Sequence, residues 1–80
     1  MHEVYLAEEI INIIKNKAET KNAQEVLEVR VAVPEDDHYT PEAFADILKM
    51  QAEGTVAERA QFYVLSEKID KPYIKDIKVR

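Results

Sequence analysis

Leu6, Ala7, Ile10, Ile11, Ile13, Ile14 and Ala18 recur at spacings of three and four, the period that lines side chains along one side of an α-helix. The pattern predicts an amphipathic helix over residues 4–20. Glu8 and Glu9 fall outside the stripe early and Lys15 and Lys17 fall outside it late, the order that the helix dipole favours. Over residues 26–33 the period drops to two, with Leu27, Val29, Val31 and Val33 on one side and Glu28 and Arg30 on the other. A half-exposed strand follows from that alternation. Pro34 brings no backbone donor and ends the ladder, and residues 35–39 form an acidic connection.

Thr40-Pro41-Glu42 combines an N-cap hydroxyl, a first-turn proline and an early acid, which together start a second helix. Phe44, Ile47 and Leu48 give it an apolar edge, extended by Met50 or Gln51, and Gly54 stands where a left-handed residue closes a helix. This helix is expected to stop at about Glu53. Two further alternating runs, 60–66 and 73–79, are separated by the polar stretch 67–72 and predict an antiparallel hairpin. Phe62 and Val64 share one face of the first run; Tyr73, Ile77 and Val79 share one face of the second. The fold class is therefore α+β: two helices packed on one face of a three-stranded sheet that ends in an antiparallel hairpin. Residues 1–80 are expected to form a single domain.

The chain has 80 residues, 34% charged and 46% hydrophobic, the composition of a globular unit. A core this small gains from a partner, so a homodimer is an expectation. The sequence contains no cysteine, which removes disulfides, thiolate zinc sites and cysteine nucleophiles together. The apolar cluster over residues 6–14 is broken by Glu8, Glu9 and Asn12 and falls well short of the ~20 residues of a membrane span. The leading residues do not form a basic n-region, so a cytoplasmic location is expected. A net charge of -5 repels phosphate backbones and anionic lipid surfaces, and neither nucleic acid nor membrane is an expected partner.

Candidate chemistry concentrates at the start of the chain. His2 follows Met1, so the terminal amine, the His2 amide and the His2 imidazole can close two chelate rings on one metal, and the amide of Glu3 can complete a plane of nitrogens. Nitrogen ligands in such an arrangement suit Ni(II) or Cu(II) rather than Zn(II), Mg(II) or Ca(II). A histidine near a terminus is ordinarily just solvated, so the chelate draws its weight from its position. The other histidine, His38, stands beside Asp36 and Asp37 in what reads as a solvated acidic loop. Tyr5, Tyr39, Tyr63 and Tyr73 read as core-edge or interface residues. No Ser-His-Asp order, phosphate loop or glycine signature is present, and enzymatic activity is not expected.

Met1-His2-Glu3, Leu6-Ala7-Glu8-Glu9-Ile10, the strand at 26–33 and Glu53-Gly54-Thr55-Val56-Ala57-Glu58 resemble, in order and spacing, the N-terminal nickel-binding domain of the HypA hydrogenase-maturation proteins. Residues 60–65 and 74–79 are similar to that family's second and closing strands, so the resemblance covers nearly the whole chain. It implies an Ni(II) site made from the Met1 amine, the imidazole and amide of His2 and the backbone at Glu3. It also implies delivery of nickel, with a HypB-like GTPase, to the large subunit of nickel-iron hydrogenase, and in some organisms to urease. The Glu3 carboxylate either tunes affinity or simply complements the helix dipole.

The sequence departs from the family pattern twice. Where the family carries a zinc ribbon with paired Cys-x-x-Cys motifs, residues 67–72 form only a short turn, and Pro34-Glu35-Asp36-Asp37-His38 replaces a Gly-Glu-Leu signature. The alternative reading is therefore a zinc-less HypA paralogue that serves as a protein-interaction module without metal delivery.

Overall fold

The computed structural model describes residues 2–35 and 40–80, except for the side chains of His2 and Glu3. The element order is α1 (His2–Thr20), β1 (Val26–Pro34), α2 (Pro41–Ala52), β2 (Gln61–Glu67) and β3 (Tyr73–Val79). Both helices pack into one apolar cluster with the sheet, α1 touching α2 and β3, and α2 touching β2. Ala7, Ile10, Ile11, Ile14 and Ala18, five members of the periodic stripe in α1, are buried in that cluster, while Ile13 remains 44% exposed. No described helix is long and apolar enough to cross a membrane.

The helix boundaries follow from local chemistry. Asn22 takes φ 55, and the Ala23 and Asn22 N–H groups donate to the Ala18 and Glu19 carbonyls at 2.9 and 3.0 Å. This is a Schellman closure, with asparagine where glycine is commoner. At α2 the Ala43 N–H donates to Thr40 Oγ1 at 3.2 Å, as the Thr-Pro signal predicts. The helix ends at Ala52, one residue before the expected stop. Glu53 leaves helical geometry at ψ 133, and Gly54 takes φ 78 in the turn beyond.

The expected hairpin is not formed. The strand order is β2-β1-β3, with β1 in the centre, parallel to β2 and antiparallel to β3. Alternation shows which face a strand buries and is silent on which strand lies beside it. Here β1 is the longest and most buried strand, and a central position satisfies its backbone on both sides. The polar stretch 68–72 therefore crosses the end of β1 instead of turning back on β2, a path left open because Pro34 ends that strand. Glu67 fastens the crossing. Its carboxylate accepts hydrogen bonds from the Tyr73 hydroxyl at 3.1 Å and from Lys75 Nζ.

Two register shifts correct the face assignments within the sheet. Val26 pairs with Val79 and Glu28 with Lys78, leaving Leu27 as an extra residue. Such a bulge resets the alternation, so Val26 joins Val29, Val31 and Val33 in the core and Leu27 is only half-buried. On β3, Arg30 pairs with Asp76 and Val31 with Ile74, which skips Lys75. Ile74 then packs against the core with Ile77 and Val79, and Tyr73 moves to the open face at 43% exposure. On that face Arg30 lies 5.2 Å from the Tyr63 ring centre and hydrogen bonds Asp76 at 3.1 Å.

Two outcomes follow. Leu48, wholly buried in α2, anchors that helix on the core, and Leu48→Ala is expected to lower unfolding free energy by about 2–5 kcal/mol in urea denaturation. The hydrogen bond from Lys75, aided by that from Tyr73 and opposed by desolvation, holds the Glu67 carboxyl below the ordinary carboxylate range. A lowered folded value stabilises the fold above the unfolded value, and this contribution disappears as pH falls through the folded one. The Glu67→Gln variant should therefore show a shallower loss of urea midpoint than the parent chain below about pH 4.5.

Candidate metal centre at the helix N-terminus

Helix α1 begins at His2, and the first four N–H groups of an α-helix have no acceptor within the helix. The amide nitrogens of His2 and Glu3 are thus left out of the helical ladder. The positive end of the α1 dipole opposes a bare cation but favours the anionic nitrogens that amide deprotonation creates. A chelate that exchanges amide protons for a metal is therefore electrostatically better matched to this end than one made of neutral donors.

The described anchor of this turn is Gln51. Its Nε2 donates to the Val4 carbonyl at 2.9 Å, which ties the start of α1 to the last turn of α2. The apolar pattern assigned Gln51 only to a helix edge, so its positioning role was missed. A polar residue on the border of an apolar stripe is ordinary in a helix and does not reveal a partner on another element, here the Val4 carbonyl of α1. Val4 is 39% and Tyr5 69% exposed, so the turn is held from one side and open to solvent on the other.

Met1 and the side chains of His2 and Glu3 lie outside the described residues, as do His38, Asp36 and Asp37 of the acidic connection. Among the described residues there is no group of three or more His, Cys, Asp or Glu side chains able to hold a metal. A groove of about 520 Å³ runs between α1 and the start of β3, where Leu6, Ile10, Ile13 and Ile74 share the walls with Glu9, Lys17 and Lys71. One carboxylate beside two lysines is not a cation site.

The Gly54-Thr55-Val56-Ala57-Glu58 segment has a structural task. Thr55 Oγ1 donates to the Ala52 carbonyl at 2.7 Å and accepts from the Ala57 N–H at 3.1 Å. The Val56 carbonyl accepts from the Val26 N–H at 3.0 Å, and Ala57 is wholly buried. The motif closes α2, fixes the start of β1 and launches β2.

Comparison with known proteins places this arrangement. The family described as hydrogenase/urease nickel incorporation, metallochaperone, hypA matches residues 1–71. The hydrogenase maturation factor HypA of Methanothermobacter thermautotrophicus is 37% identical over 62 residues, covering 78% of this chain and 51% of the relative. That of Methanopyrus kandleri is 32% identical over 75 residues, covering 94% and 51%, and that of Archaeoglobus fulgidus 37% over 70 residues, covering 88% and 64%. The chain thus spans about half the length of the first two of these relatives and 64% of the third. The solution structure of the Ni metallochaperone HypA from Helicobacter pylori superposes with a TM-score of 0.79 over 96% of each chain. At 12% identity that likeness shows the fold alone. With the family match extending from residue 1 to residue 71, this chain belongs to the HypA family.

Proposed function

We propose that residues 1–80 form a single HypA-type nickel-binding domain, an accessory protein rather than an enzyme, acting in the maturation of nickel-iron hydrogenase. The Met1 amine, the His2 amide and imidazole, and the Glu3 backbone hold Ni(II) as cargo. One observation carries the reading: the family match begins at residue 1, where the described fold starts a helix at His2 and pins its first turn through Gln51. Two residues of the tripeptide, His2 and Glu3, thus belong by their backbone to the first turn of a helix docked on α2.

The same reading gives the partners. A HypB-like GTPase and the hydrogenase large subunit are the proteins with which such a domain would exchange nickel, and a homodimer is the self-association expected of so small a core. A cytoplasmic location fits an acceptor enzyme that is loaded before it works. The sequence has no cysteine, so thiolate zinc ligation is not among the means by which these 80 residues could contact a partner.

Three outcomes test this. Isothermal titration with Ni(II) is expected to show binding by the native chain and its loss when Gly-Ser is added before Met1, since the extension keeps every side chain and moves the amine; equal binding by both forms contradicts the site. Acid is expected to release the metal as pH falls from about 8 to about 6, because the amine and imidazole have reference pKa values of ~7.8 and ~6.5 and protons compete for the same nitrogens. Binding unchanged across that range would point to carboxylate ligands instead. The Gln51→Ala variant is expected to lose about 1 kcal/mol of stability and to weaken nickel binding a few-fold while leaving every ligand in place; unchanged affinity would remove Gln51 from the positioning of the site.

A further inference from the structure

Strand β2 is an edge of the sheet, and its outer side has no neighbouring strand among the described residues. The Glu35 N–H donates to the Glu67 carbonyl at 3.0 Å, so Glu67 turns its backbone toward β1. Alternation along the strand turns Tyr63 and Leu65 the same way and leaves the N–H and C=O groups of Phe62, Val64 and Ser66 facing outward. Among the described residues no loop or turn backbone group pairs with them.

The two edges of the sheet differ in chemistry. Strand β3 carries Lys75, Asp76 and Lys78, the kind of charge that protects an edge from unplanned pairing. Strand β2 reads Gln-Phe-Tyr-Val-Leu-Ser before Glu67, with no charge, proline or glycine in that run. In a chain of net charge -5, a second copy is repelled by most of the surface and least by this neutral strip. The strip is also self-complementary. Val64 is the midpoint of Gln61–Glu67, so a two-fold axis there pairs the whole strand with its own copy. Across that axis Val64 meets Val64, Phe62 meets Ser66, and Tyr63 meets Leu65 twice on the open face. Tyr63 and Leu65 are 46% and 57% exposed in the single chain. Aromatic and aliphatic residues facing each other across strands stabilise such a pair.

We propose that two copies of this chain associate through antiparallel pairing of their β2 edges about Val64, making a continuous six-stranded sheet. This rests on the homodimer already expected of so small a core, names the surface that forms it, and does not depend on the nickel site. The contact adds about six backbone hydrogen bonds and two Tyr63–Leu65 pairs. A contact limited to one strand edge is small, so the dimer is weak, with a dissociation constant on the order of 100 µM.

The test uses the metal-free full chain, which keeps its failure separate from failure of the nickel site. Sedimentation velocity from about 10 µM to about 1 mM is expected to show a concentration-dependent shift from monomer to dimer. Hydrogen exchange followed by NMR should slow with concentration at the Phe62, Val64 and Ser66 amides and stay constant along β3. Leu65→Lys, a change at an exposed side chain, and Ser66→Pro, which removes only an outward donor, should each abolish the dimer while circular dichroism keeps the parent spectrum. Should Ser66→Pro fail to fold, Leu65→Lys alone decides. A chain that is monomeric throughout, a dimer that survives Leu65→Lys, or protection appearing along β3 overturns the proposal. So does protection of β2 that appears only on adding an unrelated extended peptide, which would make the edge a site for a different partner.

Discussion

Val29, Val31 and Val33 are wholly withdrawn from solvent beneath the helices, and the strand that carries them is hydrogen-bonded on both sides. The other elements are arranged to make that burial possible. Strand β2 lies along one side in parallel register and β3 along the other in antiparallel register. A parallel neighbour requires a crossover, and α2 supplies it, lying on β2 and against α1. Helix α1 then covers what α2 leaves open, burying Ala7, Ile10, Ile11, Ile14 and Ala18 in the same cluster as the valines. At ~1.5–3 kcal/mol for each large apolar side chain removed from water, this shared cluster is the main source of stability in a chain with no disulfide.

The start of α1, from the His2 backbone onward, is positioned by that packing. A helix held over its length by an apolar stripe keeps its first turn in register with the rest of the molecule, and Gln51 adds a hydrogen bond at Val4. The ligands assigned to nickel are mostly backbone nitrogens. For such ligands the conformation of the chain matters more than any side-chain pocket.

The periodic patterns revealed most of the elements because each buries one face. The 3.6 period of α1, the alternation of β1 and the Thr40-Pro41 start of α2 all appear in the structure with small changes at their ends. Strand order was not legible, since a hairpin and a crossover at 68–72 bury the same faces. The bulges at Leu27 and Lys75 were not legible either, because an extra residue in one strand has meaning only against its neighbour. Asn22 closes α1 in a conformation that glycine usually takes, so its sequence gave little sign of it. At the candidate site, Met1-His2-Glu3 is proposed from its sequence chemistry, whereas the bond from Gln51 was not legible, because its partner is a carbonyl on another helix.

The nickel proposed for this chain would sit on the first turn of α1, held by the Met1 amine and the nitrogens of His2 and Glu3. The most direct measurement is a nickel titration of the ¹⁵N-labelled chain followed by two-dimensional NMR. Signals are expected to change first at His2, Glu3 and Val4 and at the side-chain amide of Gln51, with those of β2, β3 and His38 left in place. Changes centred on His38 and its acidic neighbours, with the first turn of α1 unaffected, would contradict it.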